Sequence, residues 1–395
     1  MKFDYHNPTD MIFGAGSIER RGEVTGKYGK KALIVTGGGS VKKSGVFDKA
    51  VASLTEEGID YAECTGVEPN PRISTVKRGA DIAAEKNCDV IIALGGGSVM
   101  DASKVMSAAY YYAGDPWDMI WHGQEDVYMP TKALPVITVP TLAATGSEMN
   151  MGAVISNDET KIKSFIQSEQ IFPRMAVVDP ELTLSVPADQ TAYGVYDIIT
   201  HLTETYFNGS GGTPIQDRFA ESVIIETMKY GKRAVENGND LEARTQVQWA
   251  SILALNGWLQ LGTNFIAPVH MIEHALSAHH DITHAAGLAI VNPAWMRFSA
   301  KSNPEKFAQF GERVFGLKRE AGKDLETAFE AIDKLEDFHK SIGCPARLSE
   351  VGIGDEKLEQ YAKDAMLVVT DGKGHLLGNP PMSVDDIVGA LRSVL

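Results

Sequence analysis

The feature that most constrains the fold is a regular alternation of apolar, β-rich runs with helix-like segments between residue 31 and about residue 184. The first runs are KALIVTG, IDYAECTG and DVIIALGGGS, and the segments near 45–58 and 73–87 lie between them. Parallel strands need crossover connections, which are usually helices. The pattern therefore predicts a parallel sheet that is covered by helices.

The alternation continues with a helix near 99–113, the strand ALPVITVPT, a hairpin formed by MGAVISN and KIKSFIQ, and AVVDP. The strand signals then stop, and long amphipathic segments interrupted by glycine and proline follow from Ser185. Such segments are typical of helices. We therefore expect an α/β domain over residues 1–184 and an all-helical domain over residues 185–395.

Charge and composition exclude several classes of partner. The chain of 395 residues has 37 basic and 52 acidic side chains and a net charge of −15, which repels nucleic-acid phosphates and anionic lipids. It contains no run of about 18 apolar residues and no signal-like start, so we expect a cytoplasmic protein. The three widely spaced cysteines, Cys64, Cys88 and Cys344, are expected to be reduced thiols.

Two turns share the string GGGS, from Gly37 to Ser40 after LIVT and from Gly95 to Ser98 after VIIAL. In both, a strand ends in glycines and a helix is expected to begin at once, so backbone amides and the positive end of a helix dipole meet. That geometry suits a phosphate. A tight turn without a ligand explains one copy equally well, but two copies in one sheet favour a nucleotide, although neither matches GxGxxG.

Two further features accompany the second turn. Ser98 is positioned to cap the following helix, with Asp101 reaching back three residues later. The loop VPTLAATGSEMN, residues 139–150, gathers threonine and serine hydroxyls at another strand end. These hydroxyls suit a pyrophosphate or a ribose, and an ordinary polar turn explains them equally well.

Histidines and one aspartate have the spacing of metal ligands. Asp197 and His201 are four residues apart, which places them on one helix face. His270 and His274 repeat this spacing, and five of the ten histidines lie within fifteen residues, up to His284. A lone histidine is more often an ordinary core residue, but this combination predicts a divalent cation. One carboxylate with several imidazoles suits Fe²⁺ or Zn²⁺ better than Mg²⁺ or Ca²⁺.

These motifs resemble the iron-containing, group III alcohol dehydrogenase family, and in particular its butanol-dehydrogenase-like branch of NAD(P)H-dependent aldehyde reductases. The resemblance covers nearly the whole chain, from HNPTDMIFGAGSI through GGGSVMDASK and TLAATGSEMN to YDIITHLTE and DITHAAGLAIVNPAW. It implies an N-terminal Rossmann-like α/β domain with a parallel sheet, an all-α C-terminal domain and a homodimer.

The resemblance also implies the site residues. The family's metal ligands fall on Asp197, His201, His270 and His284, and its additional histidine falls on His274. The positions at the pyrophosphate are Gly95, Gly96, Gly97 and Ser98, and those at the nicotinamide are Asp101, Thr138, Thr141 and Leu142. The turn beside the adenosine ribose consists of Gly37, Gly38, Gly39 and Ser40.

The same turn bears on the choice of cofactor. NAD-preferring relatives often carry an aspartate at the place of Gly39, where a carboxylate accepts from the ribose 2′-OH and repels a 2′-phosphate. Because this chain has no acid there, Ser40 with Lys42 or Lys43 is available for a 2′-phosphate, and NADP(H) is expected to be preferred. NAD(H) stays an alternative, since a glycine removes an obstacle without creating selectivity.

The expected reaction interconverts an aldehyde and a primary alcohol by hydride transfer at nicotinamide C4, with the metal as a Lewis acid. His274 is the expected proton relay, and orienting a metal ligand is its alternative role. Asp101 is the second expected catalytic residue. The alternatives are glycerol-dehydrogenase-like polyol oxidation, a metallohydrolase, which leaves both GGGS turns unexplained, and a regulator that binds a metal or a nucleotide.

Overall fold

A computed structural model of the chain describes residues 2–209, 212–263 and 265–395. The described residues form two compact units. The α/β unit consists of His6–Val186 and Gly238–Asn256, and the helical unit consists of the residues before His6 together with Pro187–Asn237 and Gly257–Leu395.

The strands and helices follow the expected order. The strands are β1 (Asp10–Phe13), β2 (Lys31–Thr36), β3 (Asp60–Cys64), β4 (Val90–Gly95), β5 (Val136–Pro140), β6 (Gly152–Asn157), β7 (Ile162–Gln167) and β8 (Met175–Val178). The helices of the first half are α1 (Arg21–Thr25), α2 (Ser40–Lys43), α3 (Val46–Glu56), α4 (Ile73–Glu85) and α5 (Gly97–Ala109). Those of the second half are α6 (Ala188–Asn208), α7 (Pro214–Glu236), α8 (Leu241–Leu255), α9 (Pro268–His280), α10 (His284–Ala300), α11 (Pro304–Phe315), α12 (Asp324–Ser341), α13 (Leu358–Ala365) and α14 (Val384–Arg392).

The predicted parallel sheet is confirmed. Its order is β1-β8-β5-β4-β2-β3, and every neighbouring pair is parallel. All residues of β4 and β5 are buried, as expected of parallel strands with helices on both faces. The predicted hairpin is the antiparallel pair β6-β7.

Alternation along the strands divides the core between the two faces of the sheet. Leu33 points to the face that carries Val105 of α5, whereas Ile34 points to the face that carries Leu54 of α3. The three cysteines are buried and free. The carboxyl ends of β2 and β4 are thereby placed side by side, each followed by a GGGS turn.

The units differ from the predicted division at residue 184: the residues before His6 fall in the helical unit, and a longer segment beyond residue 184 falls in the α/β unit. Gly238–Asn256, with α8, belongs to the α/β unit. The reason is packing, because Ile252 of α8 joins a buried cluster with Ala176 and Val178 of β8. Helical periodicity predicts the helix but not the surface against which it packs.

The helical unit is built around α6, which is buried at almost every position from Thr191 to Asn208. It packs against α7, α9 and α10. A helix that is apolar on most sides belongs in a core. Pro268 occupies the first turn of α9, where its missing N–H costs nothing. No helix in the described part of the chain is long and apolar enough to cross a bilayer.

Candidate metal centre and dinucleotide turns

The first pair of predicted ligands lies in the middle of α6. Asp197 and His201 are both buried, and Asp197 Oδ1 lies 3.7 Å from His201 Nε2. The helical spacing thus brings a carboxylate and an imidazole together in the core of the unit, as predicted.

His270 reaches the same point from α9. Its Nε2 atom lies 3.7 Å from Asp197 Oδ1, and its ring stacks on that of His201 with centroids 4.7 Å apart. One potential ligand atom from each of these three residues lies within 4.8 Å of the other two. Two helices that are distant in sequence therefore converge on one buried point.

His284 and His274 stand beside this group. The ring centroid of His284, the first residue of α10, lies 5.3 Å from that of His270. His284 has closer ligand atoms on Glu273 and His274, and these three form a second group within 4.8 Å. The structure thus brings the four predicted ligands and His274 into one neighbourhood, but His284 is not in the tight group of three.

Glu204, which the sequence interpretation overlooked, supports His270. This fully buried carboxylate accepts hydrogen bonds from the backbone amides of Val269, at 2.6 Å, and His270, at 3.3 Å. It also contacts His270 Nδ1. One side chain therefore caps the start of α9 and, by accepting from Nδ1–H, leaves Nε2 directed to Asp197.

Glu273, also overlooked, does the same for His284. Its buried carboxylate contacts His284 Nδ1 and accepts from Ser277 Oγ. Gly287 of α10 makes this approach possible, because a Cβ there would lie 2.7 Å from Glu273 Cγ. The signal was present in the sequence, since Glu204 and Glu273 each follow a predicted ligand by three residues, which is one helical turn.

The electrostatics of the group keep Asp197 and His201 deprotonated but favour a proton on His270. Burial raises the pKa of Asp197, but His201 and His270 outweigh it and hold that pKa at about 2. Burial lowers the pKa of His201 to about 3. Burial also lowers the pKa of His270, but Glu204 and Asp197 outweigh it and raise the net value. Metal binding requires unprotonated imidazole nitrogens, so an incoming cation displaces any proton held by His270.

The residues fit a divalent cation. Among the described residues, no hydrogen-bond partner reaches the buried atoms Asp197 Oδ1 and His270 Nε2. A buried polar atom without a partner is costly, and a cation satisfies a carboxylate oxygen and an imidazole nitrogen at once. Imidazole-rich ligand sets suit Fe²⁺ or Zn²⁺.

The two predicted glycine turns lie at the carboxyl ends of adjacent strands. At the second turn, a Cβ on Gly97 would lie 2.6 Å from Thr145 Cγ2, so only glycine fits there. The backbone amide of Thr141 donates to Gly95 O at 3.0 Å, and Leu142 Cβ is 3.7 Å from the Cβ position of Gly96. The structure therefore places these predicted cofactor positions next to one another.

The capping interpretation of Ser98 and Asp101 is wrong. Helix α5 begins at Gly97 with Gly96 as its cap residue, and no side chain of the described residues caps it. Asp101 instead accepts from Ser147 Oγ, at 2.5 Å, and from the amide of Val154, at 2.9 Å. The helix starts two residues too early for Ser98 to be its cap residue, and the Asp101 carboxylate bonds the neighbouring loop instead.

Thr138, predicted to line the nicotinamide, is fully buried inside β5. Its hydroxyl donates to Met175 O at 3.3 Å. Thr138 therefore bonds its neighbouring strand.

A buried lysine holds the loop at residues 139–150 in place. Lys104 of α5 is completely buried and donates to Ser147 Oγ at 2.8 Å, Asn150 Oδ1 at 3.0 Å and Gly152 O at 2.8 Å. Nearby, Gln248 of α8 donates to Glu148 Oε1 at 3.0 Å. Burial lowers the pKa of Lys104 to about 8 and raises that of Glu148 to about 7.

A parallel sheet with glycine turns and a helical unit with a carboxylate–imidazole cluster form the architecture of a dinucleotide- and metal-dependent oxidoreductase. Comparison with protein families agrees. The model for iron-containing alcohol dehydrogenase matches residues 8–180, and the model for the C-terminal part of the Fe-containing alcohol dehydrogenase family matches residues 191–395. The chain belongs to the iron-containing alcohol dehydrogenase family, as the sequence motifs predicted, and is an oxidoreductase of alcohols and aldehydes.

Individual relatives match over almost their full length. The chain is 45% identical to NADH-dependent butanol dehydrogenase A of Clostridium acetobutylicum, over 98% of both chains. It is 36% identical to the NADPH-dependent aldehyde reductase YqhD of Escherichia coli, over 91% of this chain and 92% of that protein. The crystal structure of NADH-dependent butanol dehydrogenase A from Thermotoga maritima superimposes with a TM-score of 0.94 at 37% identity, covering 100% of this chain and 98% of that one.

Proposed function

We propose that this protein interconverts medium-length aldehydes and primary alcohols of the butanal and butanol type, using NAD(P)(H) and one divalent ion, Fe²⁺ or Zn²⁺. The observation that carries the proposal is the buried group Asp197, His201 and His270, with ligand atoms within 4.8 Å of one another and two of them unbonded among the described residues. His284 is proposed as the fourth ligand. Relatives named for butanol are 45% and 43% identical, and those named for 1,3-propanediol are 32% identical, which supports the monoalcohol over the polyol alternative.

A bound divalent ion supplies a Lewis acid for the carbonyl oxygen. The chain's own residues prepare the site for it. Asp197 provides the negative charge, and Glu204 holds His270 in the tautomer whose Nε2 is available to the ion. His274 is 4% exposed and lies among these rings, and we propose that it delivers the proton that the product alcohol takes up.

The proposed dinucleotide positions are the two GGGS turns with Thr141 and Leu142. The space beside Gly38 and Gly39 supports this assignment, because a Cβ at either position would meet no atom of the described residues within 4 Å. Asp101 is proposed to act through the loop that it bonds rather than as a catalytic group. The expected preference for NADP(H) finds little support in the names of the relatives, since four at 41–45% identity are named NADH-dependent, whereas those named for NADPH or NADP are 36% and 33% identical.

The homodimer is proposed from the family resemblance. The proposed homodimer is supported by the position of β1, which forms one edge of the sheet and presents an unpaired strand edge within the described sheet. Light scattering combined with size-exclusion chromatography tests the dimer. The cytoplasmic location stays a prediction.

The function is tested with purified protein, butanal, and NADH or NADPH, before and after treatment with a chelator. We expect oxidation of the nicotinamide cofactor that stops after chelation and resumes when Fe²⁺ or Zn²⁺ is added. His270→Ala should lose bound metal and about a thousandfold in kcat/KM, because removing a Lewis acid costs several kcal/mol of transition-state stabilisation. His279→Ala is the matched control, since His279 lies on the same helix and pairs with Asp364 at 2.7 Å.

Two outcomes would contradict the proposal. A metal-free His270→Ala protein with full activity would contradict the ligand assignment, and an active chelated wild type would show that the reaction needs no metal.

A second variant tests the proton-delivery role of His274. His274→Gln should keep its metal and lose about a hundredfold in kcat. An unchanged kcat in a metal-loaded His274→Gln protein would leave His274 with the orienting role alone.

A further inference from the structure

An ion pair stands beside the first glycine turn. Lys42 Nζ of α2 lies 2.6 Å from Glu63 Oε2 of β3, and the same ammonium lies 4.6 Å from the centroid of the Phe47 ring. Lys42 is one of the two lysines that the sequence offers for a 2′-phosphate. In the folded protein this lysine is already held by a carboxylate and an aromatic ring.

The register of the sheet places the Glu63 carboxylate next to the turn. Glu63 pairs with Ile34 of β2, two residues before the strand ends at Thr36. Just beyond β3, the amide of Gly66 donates to Gly37 O at 3.2 Å, and the amide of Val67 donates to Thr36 O at 3.1 Å. The end of β3 is thus bonded directly to the first residues of the glycine turn.

The segment from β2 through α3 to β3 is a βαβ unit, and β3 is its second strand. In dinucleotide-binding βαβ units, the acid that accepts from the ribose 2′-OH follows the pyrophosphate turn by about 20 residues. Here the glycine turn of the unit is the one proposed beside the adenosine ribose, so the position of Glu63 next to that turn, and not a spacing of about 20 residues, places its carboxylate near the ribose. Glu63 follows Ser40 by 23 residues and lies near the end of the second strand. The acid therefore lies on the adjacent strand and not inside the turn at Gly39.

Arg78, another cation near Glu63 in sequence and space, lies on the opposite face of the sheet. Tyr61 of β3 contacts Phe47 of α3, with ring centroids 6.4 Å apart, so Glu63, two residues on, points to the α3 side. Cys64 points to the other side, where Arg78 of α4 donates to Thr65 O at 3.0 Å. Arg78 therefore does not neutralise Glu63 directly, and the exposed Lys43 is the second cation on the α2 segment.

We propose that Glu63 is a specificity-determining residue that makes this protein prefer NAD(H) to NADP(H). Its carboxylate accepts a hydrogen bond from the 2′-OH of the adenosine ribose, repels a 2′-phosphate, and keeps Lys42 from binding one. The inference rests on the proposed use of a nicotinamide dinucleotide and reverses the preference expected from the sequence.

The test compares kcat/KM for NADH and NADPH in the metal-loaded wild type and in Glu63→Gln. We expect the wild type to favour NADH by at least about tenfold. Glu63→Gln should lower the NADH-to-NADPH ratio about tenfold, which corresponds to about 1.4 kcal/mol, because it removes the repulsion and releases Lys42. Glu226→Gln, which breaks an exposed 3.1 Å pair with Lys229 on α7, is the charge-matched control.

Binding measured without aldehyde separates this inference from the proposed function. Titration of NADH and NADPH fluorescence should show the same tenfold change, and the difference between cofactors should narrow at high salt because exposed charges are screened. A ratio within twofold of wild type in Glu63→Gln, or a wild type that prefers NADPH, would overturn the proposal. If both cofactors bind with the expected ratio but no aldehyde is reduced, the proposed substrate is wrong and the role of Glu63 stands.

Discussion

Each unit of the molecule contains a buried polar cluster, and the two clusters are satisfied in different ways. In the α/β unit, Lys104 is bonded to Ser147, Asn150 and Gly152 by the protein itself. In the helical unit, no described residue donates a hydrogen bond to Asp197 Oδ1 or bonds to His270 Nε2.

The comparison separates a structural cluster from a ligand site. Burial of charged groups is common to both, and it shifts pKa values in both. What distinguishes them is where the polar atoms find partners: three residues of the protein bond the Lys104 ammonium, whereas among the described residues Asp197 Oδ1 and His270 Nε2 are unbonded and lie in one group of potential ligand atoms. The Lys104 cluster therefore supports a loop, and the Asp197 cluster is the proposed cation site.

The largest expected effect is on the structural cluster. Lys104→Met keeps the volume of the side chain and removes its hydrogen bonds, so we expect a loss of about 3 to 5 kcal/mol in the free energy of unfolding. Urea denaturation measures it. Because this cluster binds no metal, the loss should be the same before and after chelation, and the metal content of the folded protein should not change.

Lys229→Met, at an exposed pair, is the control and should change the free energy of unfolding by less than about 1 kcal/mol. A Lys104→Met protein as stable as the wild type would break the comparison. So would one whose destabilisation disappears when the metal is removed.

A smaller effect concerns pH. Burial raises the pKa of Glu148 from its usual 4.5 to about 7, so the folded protein keeps a proton that the unfolded chain releases. The resulting stability is complete below about pH 4.5 and is lost as the pH rises through about 7, a change on the order of 3 kcal/mol. Glu148→Gln should remove this slope from urea denaturation at pH 4.5 to 8.

The Glu148→Gln side chain can still accept a hydrogen bond from Gln248, so we expect the variant to fold. If the wild type and the variant show the same pH dependence, Glu148 does not carry a raised pKa, and the buried carboxylate is charged throughout.

The smallest expected effect is on metal affinity, and it concerns the two carboxylates that contact the histidines of the proposed cation site. Glu204→Gln and Glu273→Gln keep the shape of the side chain and weaken its hold on His270 or His284, so we expect a 10- to 100-fold loss in metal affinity. Titration of metal-free protein with Co²⁺, followed by its absorption spectrum, measures the affinity and reports the ligand geometry. Glu221→Gln, at a buried carboxylate that accepts from Arg313 at 3.1 Å, is the control. Unchanged Co²⁺ affinity in both variants would show that Glu204 and Glu273 do not affect metal binding.

Much of the fold and of the candidate site is predictable from local patterns. The runs that end in GGGS become β2 and β4, and the four-residue spacing of Asp197 and His201 places both on one face of α6. The errors arise where a residue's role depends on a distant partner. Serine is a common helix cap, but α5 already begins one residue before Ser98. Asp101, expected to complete the cap, instead bonds Ser147 on a loop 46 residues away.

The sequence by itself determined the alternating strands and helices and the histidine-rich helices, because these follow from periodicity and spacing within single segments, and it indicated the family through the resemblance of its motifs. Only the tertiary structure decided that Glu204 meets His270, 66 residues further on, and that Glu63 holds Lys42. It also assigned α8 to the α/β unit. Spacing specifies which side chains share a face, but the packing of that face against another element determines the charges and hydrogen bonds that the side chains meet.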